Sequence, residues 1–502
     1  MRGDAGYCQK EKELKMARIS FIQNLSYEYL GVMYLSSLLK SKGHEVDCFI
    51  EHGQGIDKLV KEVARFNPDI AGFSCTTGVH QWSLRVANQL KKIRPDVKVV
   101  FGGPHPTFFP EIIEESAIDM ICRGEGEYAL LELAHCLDER KNLSTIENLW
   151  VKKNGQIFRN DVRPLIENLD ELPFPDRDLY VRKYPFLHKS QKVFMVGRGC
   201  PFSCAYCFNH AFKKLYHDKG RFVRYRSPEN IIAEIKEVKA RSPFRTVYFQ
   251  DDTFGLEKNW SLEFLNRYRN NIDLAFICLL RADLVDEVFI RSLKSAGCQR
   301  AFFGIETGSQ DLRTMILKKK VSDQQIFEAA RLLRKYKIKF RTYNMLALPN
   351  ETLEDAFQTV RLNIKIKTDY PWSSLFQPFP GTELTEFARE RGLIDAHSSF
   401  KPSFFEKSLL LLPERKEIEN LHRLFFYAVK FPFLFPFIKK AIKWNFGNFY
   451  NLFFLLGYLW SFKESERISF LETIQIGLGN FRNFLHANNC YSLRNKEEFV
   501  EE

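Results

Sequence analysis

The sequence predicts an α/β chain in three parts: a doubly wound parallel sheet, a full or partial barrel of βα units, and a helical C-terminal region. Three observations predict it. Short apolar runs alternate with amphipathic segments in two separate blocks, small and glycine-rich residues follow many of the apolar runs, and the alternation fades beyond about Ser398 into Phe-rich sequence. At 502 residues the chain is too long for one ordinary core, which fits two domains and an appended region.

In the first block, strands are expected over 18–23, 45–50, 70–74, 97–102 and 120–123, with helical periodicity between most of them. One helix is expected over 30–41, stopped by Gly43. In a parallel sheet the loops at the carboxyl ends of the strands form the ligand crevice. Here those loops read Ser74-Cys-Thr76-Thr-Gly78, Gly102-Gly103-Pro-His-Pro-Thr107 and Arg123-Gly124-Glu125-Gly-Glu127. Small residues let a bulky planar ligand approach the backbone. Ordinary strand-to-helix turn chemistry would read the same way at any single loop.

Residues 143–190 are expected to be a linker, with a polar hairpin around Asn154-Gly155 and a turn-rich Leu172-Pro-Phe-Pro-Asp-Arg177. The second block starts at Val193, with strands expected over 247–251, 274–279, 300–305, 339–346 and 374–378. Each is preceded or followed by a helix, the spacing of a βα barrel.

Eleven cysteines without an N-terminal secretory pattern point to a reducing, cytoplasmic setting, where clustered cysteines bind metal more often than they pair. The net charge of +12 would attract phosphates, anionic lipids or acidic substrates without choosing among them. The 47 phenylalanines crowd toward the C-terminus, yet no stretch reaches the roughly 18 uninterrupted apolar residues of a spanning helix.

Cys200-Pro-Phe-Ser-Cys204-Ala-Tyr206-Cys207 places three thiols within eight residues, after the first strand of the second block. One such loop can hold three corners of a four-iron, four-sulfur (4Fe-4S) cubane. Such clusters usually take four thiolates, so three leave one iron open to an outside ligand. Zinc is the alternative, with His210 as its fourth ligand.

This loop resembles the signature of the radical S-adenosylmethionine (SAM) superfamily. The resemblance continues in Asp251-Asp252-Thr-Phe254, Arg281-Ala-Asp283, Gly304-Ile-Glu306-Thr-Gly308 and Leu348-Pro-Asn-Glu-Thr352, all at expected strand ends, the face on which a TIM-like barrel carries its active site. It implies that Tyr206 lies near the adenine, that Glu306 holds the SAM ribose or amino group, and that Arg281 sits near the SAM carboxylate. Without it, Asp251 and Asp252 would read as a solvated strand end, and Glu306 and Arg281 as buried ion-pair partners. Asn350 replaces the usual glycine after proline, and Asn tolerates the positive φ that keeps the turn.

Residues 17 to about 140 resemble the Rossmann-like cobalamin-binding domain of B12-dependent radical SAM proteins, through Tyr29-Leu-Gly-Val-Met-Tyr-Leu35, Lys42-Gly-His-Glu-Val46 and the Gly102 and Arg123 loops. The implied corrin lies against the strand-end loops, with Ser74, Thr76, Gly102, Gly103, Gly124 and Glu125 as candidate contacts. The Asp-x-His-x-x-Gly loop that gives cobalt a histidine in many such domains is missing. Asn24-Leu-Ser-Tyr27 stands there, and His80 and His105 read as hydrogen-bonding loop residues.

The implied organisation is a frayed 1–16, a cobalamin-binding domain 17–142, the linker, a radical SAM barrel 191–397 and a helical region 398–502. The implied chemistry is reductive cleavage of SAM to a 5′-deoxyadenosyl radical, then methylation of an unactivated carbon, with the cofactors carrying the difficult steps. An oxidative cyclisation or rearrangement uses the same parts. RNA methylthiotransferases, with three N-terminal cysteines that Cys8, Cys48 and Cys75 loosely match, and a non-enzymatic cobalamin or redox sensor are further alternatives.

Expected partners are a small-molecule or lipid substrate and an electron donor such as flavodoxin or ferredoxin; nucleic acid is not expected. Residues 424–462 are intensely apolar, with Lys430, Lys439, Lys440 and Lys443 interleaved. They read either as an interfacial helix pair on the inner face of a membrane or as a cap on the barrel.

Overall fold

The computed structural model describes residues 16–24, 27–187, 190–394, 405 and 407–466. The expected frayed N-terminus, up to residue 15, lies outside them. The chain divides into two units, one of residues 1–163 and 172–187, the other of 164–171 and 188–502.

The first unit is a seven-stranded sheet in the order β2-β1-β3-β4-β5-β6-β7. Five strands are parallel: β1 (Arg18–Gln23), β2 (Glu45–Ile50), β3 (Ile70–Ser74), β4 (Lys98–Gly102) and β5 (Met120–Cys122). Strands such as β3 and β4 are apolar runs buried on both faces, because helices cover both sides of a parallel sheet. The helix Leu30–Ser41 occupies the expected residues, and Gly43 follows it at φ 91. Strand order reverses at β1, so the crevice opens at the tips of β1 and β3.

The segment expected as a linker is partly sheet. β6 (Leu149–Lys153) and β7 (Gln156–Arg159) form the Asn154-Gly155 hairpin and add antiparallel to β5. Both turn residues have positive φ, 51 and 76, as a type I′ turn requires.

The second unit carries six parallel strands in the order β15-β14-β13-β12-β11-β8, so the strands lie in chain order and β8 and β15 form the two ends of a partial barrel. They are β8 (Gln191–Phe194), β11 (Thr246–Phe249), β12 (Ala275–Leu280), β13 (Cys298–Glu306), β14 (Lys339–Leu346) and β15 (Tyr370–Leu375). The short pair β9 (Gly197–Arg198) and β10 (Arg224–Tyr225) flanks the cysteine loop. β15 starts four residues before the expected 374. It takes in Pro371, which lacks an amide donor and is tolerated because β15 is an edge strand. Helices begin at caps the sequence supplies: Ser227, Asp286, Ser322 and Thr352 each accept a hydrogen bond from the backbone of the first turn.

In the C-terminal region, the helix Arg415–Lys430 caps the barrel. Its Ile418, Leu421, Phe425 and Ala428 join the cluster of Leu346, Leu348, Phe357 and Leu375. Two further helices, Phe435–Ala441 and Gly447–Glu466, follow. Among the described residues no helix is long and apolar enough to cross a membrane.

Candidate active site

The chain enters the cysteine loop through a backbone that needs glycine. Gly199 has φ 92, and a Cβ there would lie 2.3 Å from the carbonyl oxygen of Phe222. At Gly197 a Cβ would lie 2.6 Å from that of Arg224. Asp251, at the tip of β11, sets the same entry, because its Oδ1 accepts the amides of Val196 and Gly197 at 2.9 and 2.8 Å. Asp251 is therefore buried against the loop entry, whereas the bare sequence would read it as a solvated strand end. Burial pushes its carboxyl up to about 7, the two amides pulling the other way. Asp252 is exposed and meets the Asn209 side chain.

The loop is pinned at its middle. The Ala205 amide donates to Leu317 O and its carbonyl accepts from Leu384 N, both at 2.9 Å. Each thiol then has its own neighbour: Cys200 Sγ lies 3.9 Å from Thr253 Oγ1, Arg281 Nη1 donates to Cys204 Sγ at 3.7 Å, and the Asn209 amide and side chain donate to Cys207 Sγ at 3.5 and 3.6 Å. Burial raises the Cys200 thiol and pushes Cys207 up to about 11. A cationic group must supply the charge that turns buried thiols into thiolates.

These features fit a 4Fe-4S cluster, since donors aimed at the sulfurs are what ligating thiolates need. The fit to zinc is poor. His210 turns its Nδ1 to the Cys207 carbonyl at 2.5 Å, and among the described residues no three His, Cys, Asp or Glu side chains converge on one ion. The thiolates of a cubane bind different irons and need not converge.

Arg281 holds the Asp283 carboxylate in a fork, at 3.0 and 2.8 Å, and lies 3.5 Å over the Phe202 ring. It thus braces the cysteine loop from β12. Glu306 ends β13 at a register shift with φ 68, a strained placement that turns its carboxylate out of the strand's alternation. Its Oε1 accepts from Tyr206 Oη at 2.9 Å and from Lys319 Nζ at 2.7 Å. Gly304 makes room, because a Cβ there would lie 1.9 Å from that oxygen. Tyr206 and Glu306, assigned separate contacts by the resemblance, are thus bonded to each other. Asn350 takes φ 63, so the turn expected in place of the missing glycine is present.

The sequence did not single out Lys319, Thr253 or Asn209. Lys319 sits in the run Lys318-Lys-Lys320, which reads as a solvated face, but it alone of the three is buried. Thr253 and Asn209 reach the thiols through proximity that spacing does not show.

In the first unit the strand-tip loops interlock. The Cys75 amide donates to Gly102 O at 2.8 Å and the His105 amide to Cys75 O at 2.9 Å. Gly103 has φ 89, and a Cβ there would lie 3.0 Å from Cys75 O and 3.2 Å from Ser74 Oγ. Thr107 Oγ1 bridges Gly103 O and the Gly124 amide, at 2.8 and 3.1 Å. Ser74, Gly102, Gly103 and Gly124 therefore meet in one floor. Thr76 is exposed beside it and Glu125 half-buried.

His80 and His105 stack with ring centroids 3.9 Å apart, and burial lowers them to about 4 and 3, so both are neutral. His105 Nδ1 meets Thr77 Oγ1 and His80 Nδ1 accepts from the Gly78 amide, each at 3.1 Å. Asn24 Oδ1, at the tip of β1, is buried without a partner among the described residues. A small-residue floor with an orphaned polar atom at the switch point fits a corrin with amide edges. Cys48 and Cys75, the described members of the rival three-cysteine set, are buried, with thiols toward Gln23 and Ser83. Cys8 lies outside the described residues.

Profiles of two families match the chain: the B12 binding domain over residues 25–134 and the Radical SAM superfamily over residues 194–362. An uncharacterised methyltransferase of Pyrococcus horikoshii is 31% identical over 371 residues, 73% of this chain and 79% of its own. The anaerobic magnesium-protoporphyrin IX monomethyl ester cyclase of Rubrivivax gelatinosus is 25% identical over 429 residues, 78% of this chain and 76% of its own. The radical SAM methyltransferase TsrM of Kitasatospora setae, solved with cobalamin and a [4Fe-4S] cluster, superposes with a TM-score of 0.62 at 17% identity, covering 76% of this chain and 79% of that one.

Proposed function

The chain belongs to the B12-binding radical SAM family, and on that footing we propose that it transfers a methyl group to an unactivated carbon of an apolar small molecule or lipid. Its cofactors are a 4Fe-4S cluster, SAM and cobalamin. When bound, the reduced cluster supplies the electron that splits SAM, and cobalamin supplies the methyl group.

The protein's part is to hold and orient. Cys200, Cys204 and Cys207 take three corners of the cluster and leave the fourth to the amino and carboxylate groups of SAM. Arg281, already against Cys204, neutralises charge at the Cys204 corner, on the side of the SAM carboxylate. Glu306 accepts a SAM hydroxyl or amino proton, its second oxygen being outside the Tyr206 and Lys319 bonds, both of which go to Oε1. Tyr206 then acts by aiming Glu306, with its ring beside the adenine. Asp251 fixes the loop entry, and Asp252 stands at its exposed edge. Ser74, Thr76, Gly102, Gly103, Gly124 and Glu125 seat the corrin in the first unit.

The observation that carries this reading is the glycine-entered, three-cysteine loop with a separate donor or hydroxyl at each sulfur. The name of the Pyrococcus relative supports methyl transfer, and the cyclase of Rubrivivax supports a second reading, an oxidative cyclisation with the same parts. A flavodoxin or ferredoxin is the proposed electron donor. The Phe-rich helices support contact with the inner face of a membrane.

Mass spectrometry of extracts from a strain lacking the gene tests the choice. A metabolite lighter by one methyl group supports methylation, an unclosed ring favours cyclisation, and RNA lacking methylthio groups contradicts both.

A further inference from the structure

The helix Gly447–Glu466 is apolar all round, a composition that belongs to a buried helix. Only one side is buried. Tyr450, Gly457, Ser461 and Ser465 face inward, and a Cβ at Gly457 would lie 3.0 Å from the Phe426 ring of the capping helix. The opposite side stands in solvent. Of the large apolar side chains exposed among the described residues, nine lie between Phe433 and Trp460, with Phe433 and Phe437 each 69% exposed and Trp444, Phe446 and Phe449 more than half exposed. A contiguous surface of this kind marks an interaction site.

Two further features say what it fits. From Lys439 to Lys463 the chain carries four lysines and no aspartate or glutamate; Lys430 pairs with Glu464 at 3.4 Å, and that carboxylate also accepts from Trp460 Nε1 at 2.7 Å. Lys440, Lys443 and Lys463 are exposed beside the aromatic side chains, while Lys439 is drawn over the Phe357 ring at 4.5 Å. A protein partner of ordinary surface would give these lysines no uniform counter-charge, whereas an anionic bilayer does. The second feature is an apolar cavity of about 420 Å³, lined by Leu424, Tyr427, Leu434, Ile438 and Phe453, with Phe437 and Trp444 on its wall beside Lys440. It opens among the same exposed aromatics and has the size of a small-molecule site.

We propose that this face, from Phe433 to Lys463, lies on an anionic phospholipid surface, with its aromatics in the headgroup layer, its lysines on the phosphates, and one acyl chain entering the cavity. It deepens the proposed function, resting on the apolar substrate of that reading, and places the enzyme where such a substrate is dissolved. The capping helix Arg415–Lys430 spends Ile418, Leu421, Phe425 and Ala428 on the barrel and contributes only to the cavity wall, through Leu424 and Tyr427.

The test is co-sedimentation of the reconstituted full-length protein with vesicles of phosphatidylcholine alone or mixed with phosphatidylglycerol. Binding is expected to the mixed vesicles, weakened by about tenfold or more with Lys440→Glu/Lys443→Glu/Lys463→Glu and by high salt. Phe437→Ser/Trp444→Ser is expected to abolish it, and phosphatidylglycerol with brominated acyl chains is expected to quench tryptophan fluorescence in the wild type. All these positions are exposed, so melting temperatures should stay near wild type.

Equal sedimentation with both vesicle types, or none with either, overturns the proposal. So does a dimer in lipid-free solution that Phe437→Ser/Trp444→Ser dissociates, or mixed-vesicle binding that appears only after residues 467–502 are removed. Formation of 5′-deoxyadenosine with a soluble reductant needs no lipid, so its survival in the variants separates failure of the docking surface from failure of the proposed reaction.

Discussion

Replacing Asp251 by Asn should change how stability depends on pH, in a direction the structure fixes. The carboxyl of Asp251 is held up to about 7 by burial, against an ordinary value of 3.8. Between these values the folded chain keeps a proton that the unfolded chain has released, so wild-type stability falls as pH rises through that window. At about 1.4 kcal/mol per unit, and with the group half-titrated at pH 7, the loss between pH 5 and pH 7 is about 2 kcal/mol. The Asn variant does not titrate, and its Oδ1 can still accept the Val196 and Gly197 amides. The stability of Asp251→Asn relative to wild type should therefore improve by about 2 kcal/mol from pH 5 to pH 7.

Urea unfolding of the metal-free protein at several pH values, followed by tryptophan fluorescence, measures this difference. Asp251→Ala is the control that orphans both amides, and it should be weaker than the Asn variant by roughly 2–6 kcal/mol at every pH, at about 1–3 per lost partner. A wild-type-to-Asn difference that stays flat, or runs the other way, would refute the reasoning that a buried carboxyl carries the loop entry.

Gly199→Ala places a Cβ against Phe222 O at a left-handed φ, so the purified protein should lose iron and sulfide while its cobalamin binding, measured by absorbance, is unchanged. Gly103→Ala should do the reverse, weakening cobalamin binding and sparing the cluster, because its Cβ would press on the Cys75 backbone. Lys319→Met leaves the Glu306 carboxylate buried without its cation and should cost about 3–5 kcal/mol in thermal or urea unfolding, with part recovered when Glu306→Gln is added.

What was legible in the sequence was local. The cysteine loop, the strand-tip glycines and the Asn154-Gly155 hairpin are written in adjacent residues, and the left-handed turn at Asn350 followed from the family resemblance together with the tolerance of Asn for positive φ. Lys319 was not legible because burial of one lysine in a run of three depends on a carboxylate thirteen residues away that a bulge re-aims. Pro371 hid the start of β15, since its tolerance depends on the strand being at a sheet edge. The hairpin was visible, but its pairing with β5 is a long-range choice that periodicity does not encode. The helix Gly447–Glu466 is apolar on every side, so its sequence could not show which side packs on the capping helix and which stands in solvent.

Mössbauer spectroscopy of anaerobically reconstituted, iron-57-labelled protein, before and after SAM is added, tests the three-thiolate site most directly. About four irons per chain are expected, one of them shifting when SAM binds and the loading collapsing in Cys204→Ala. Zinc in place of iron, or a cluster whose irons all ignore SAM, would contradict it.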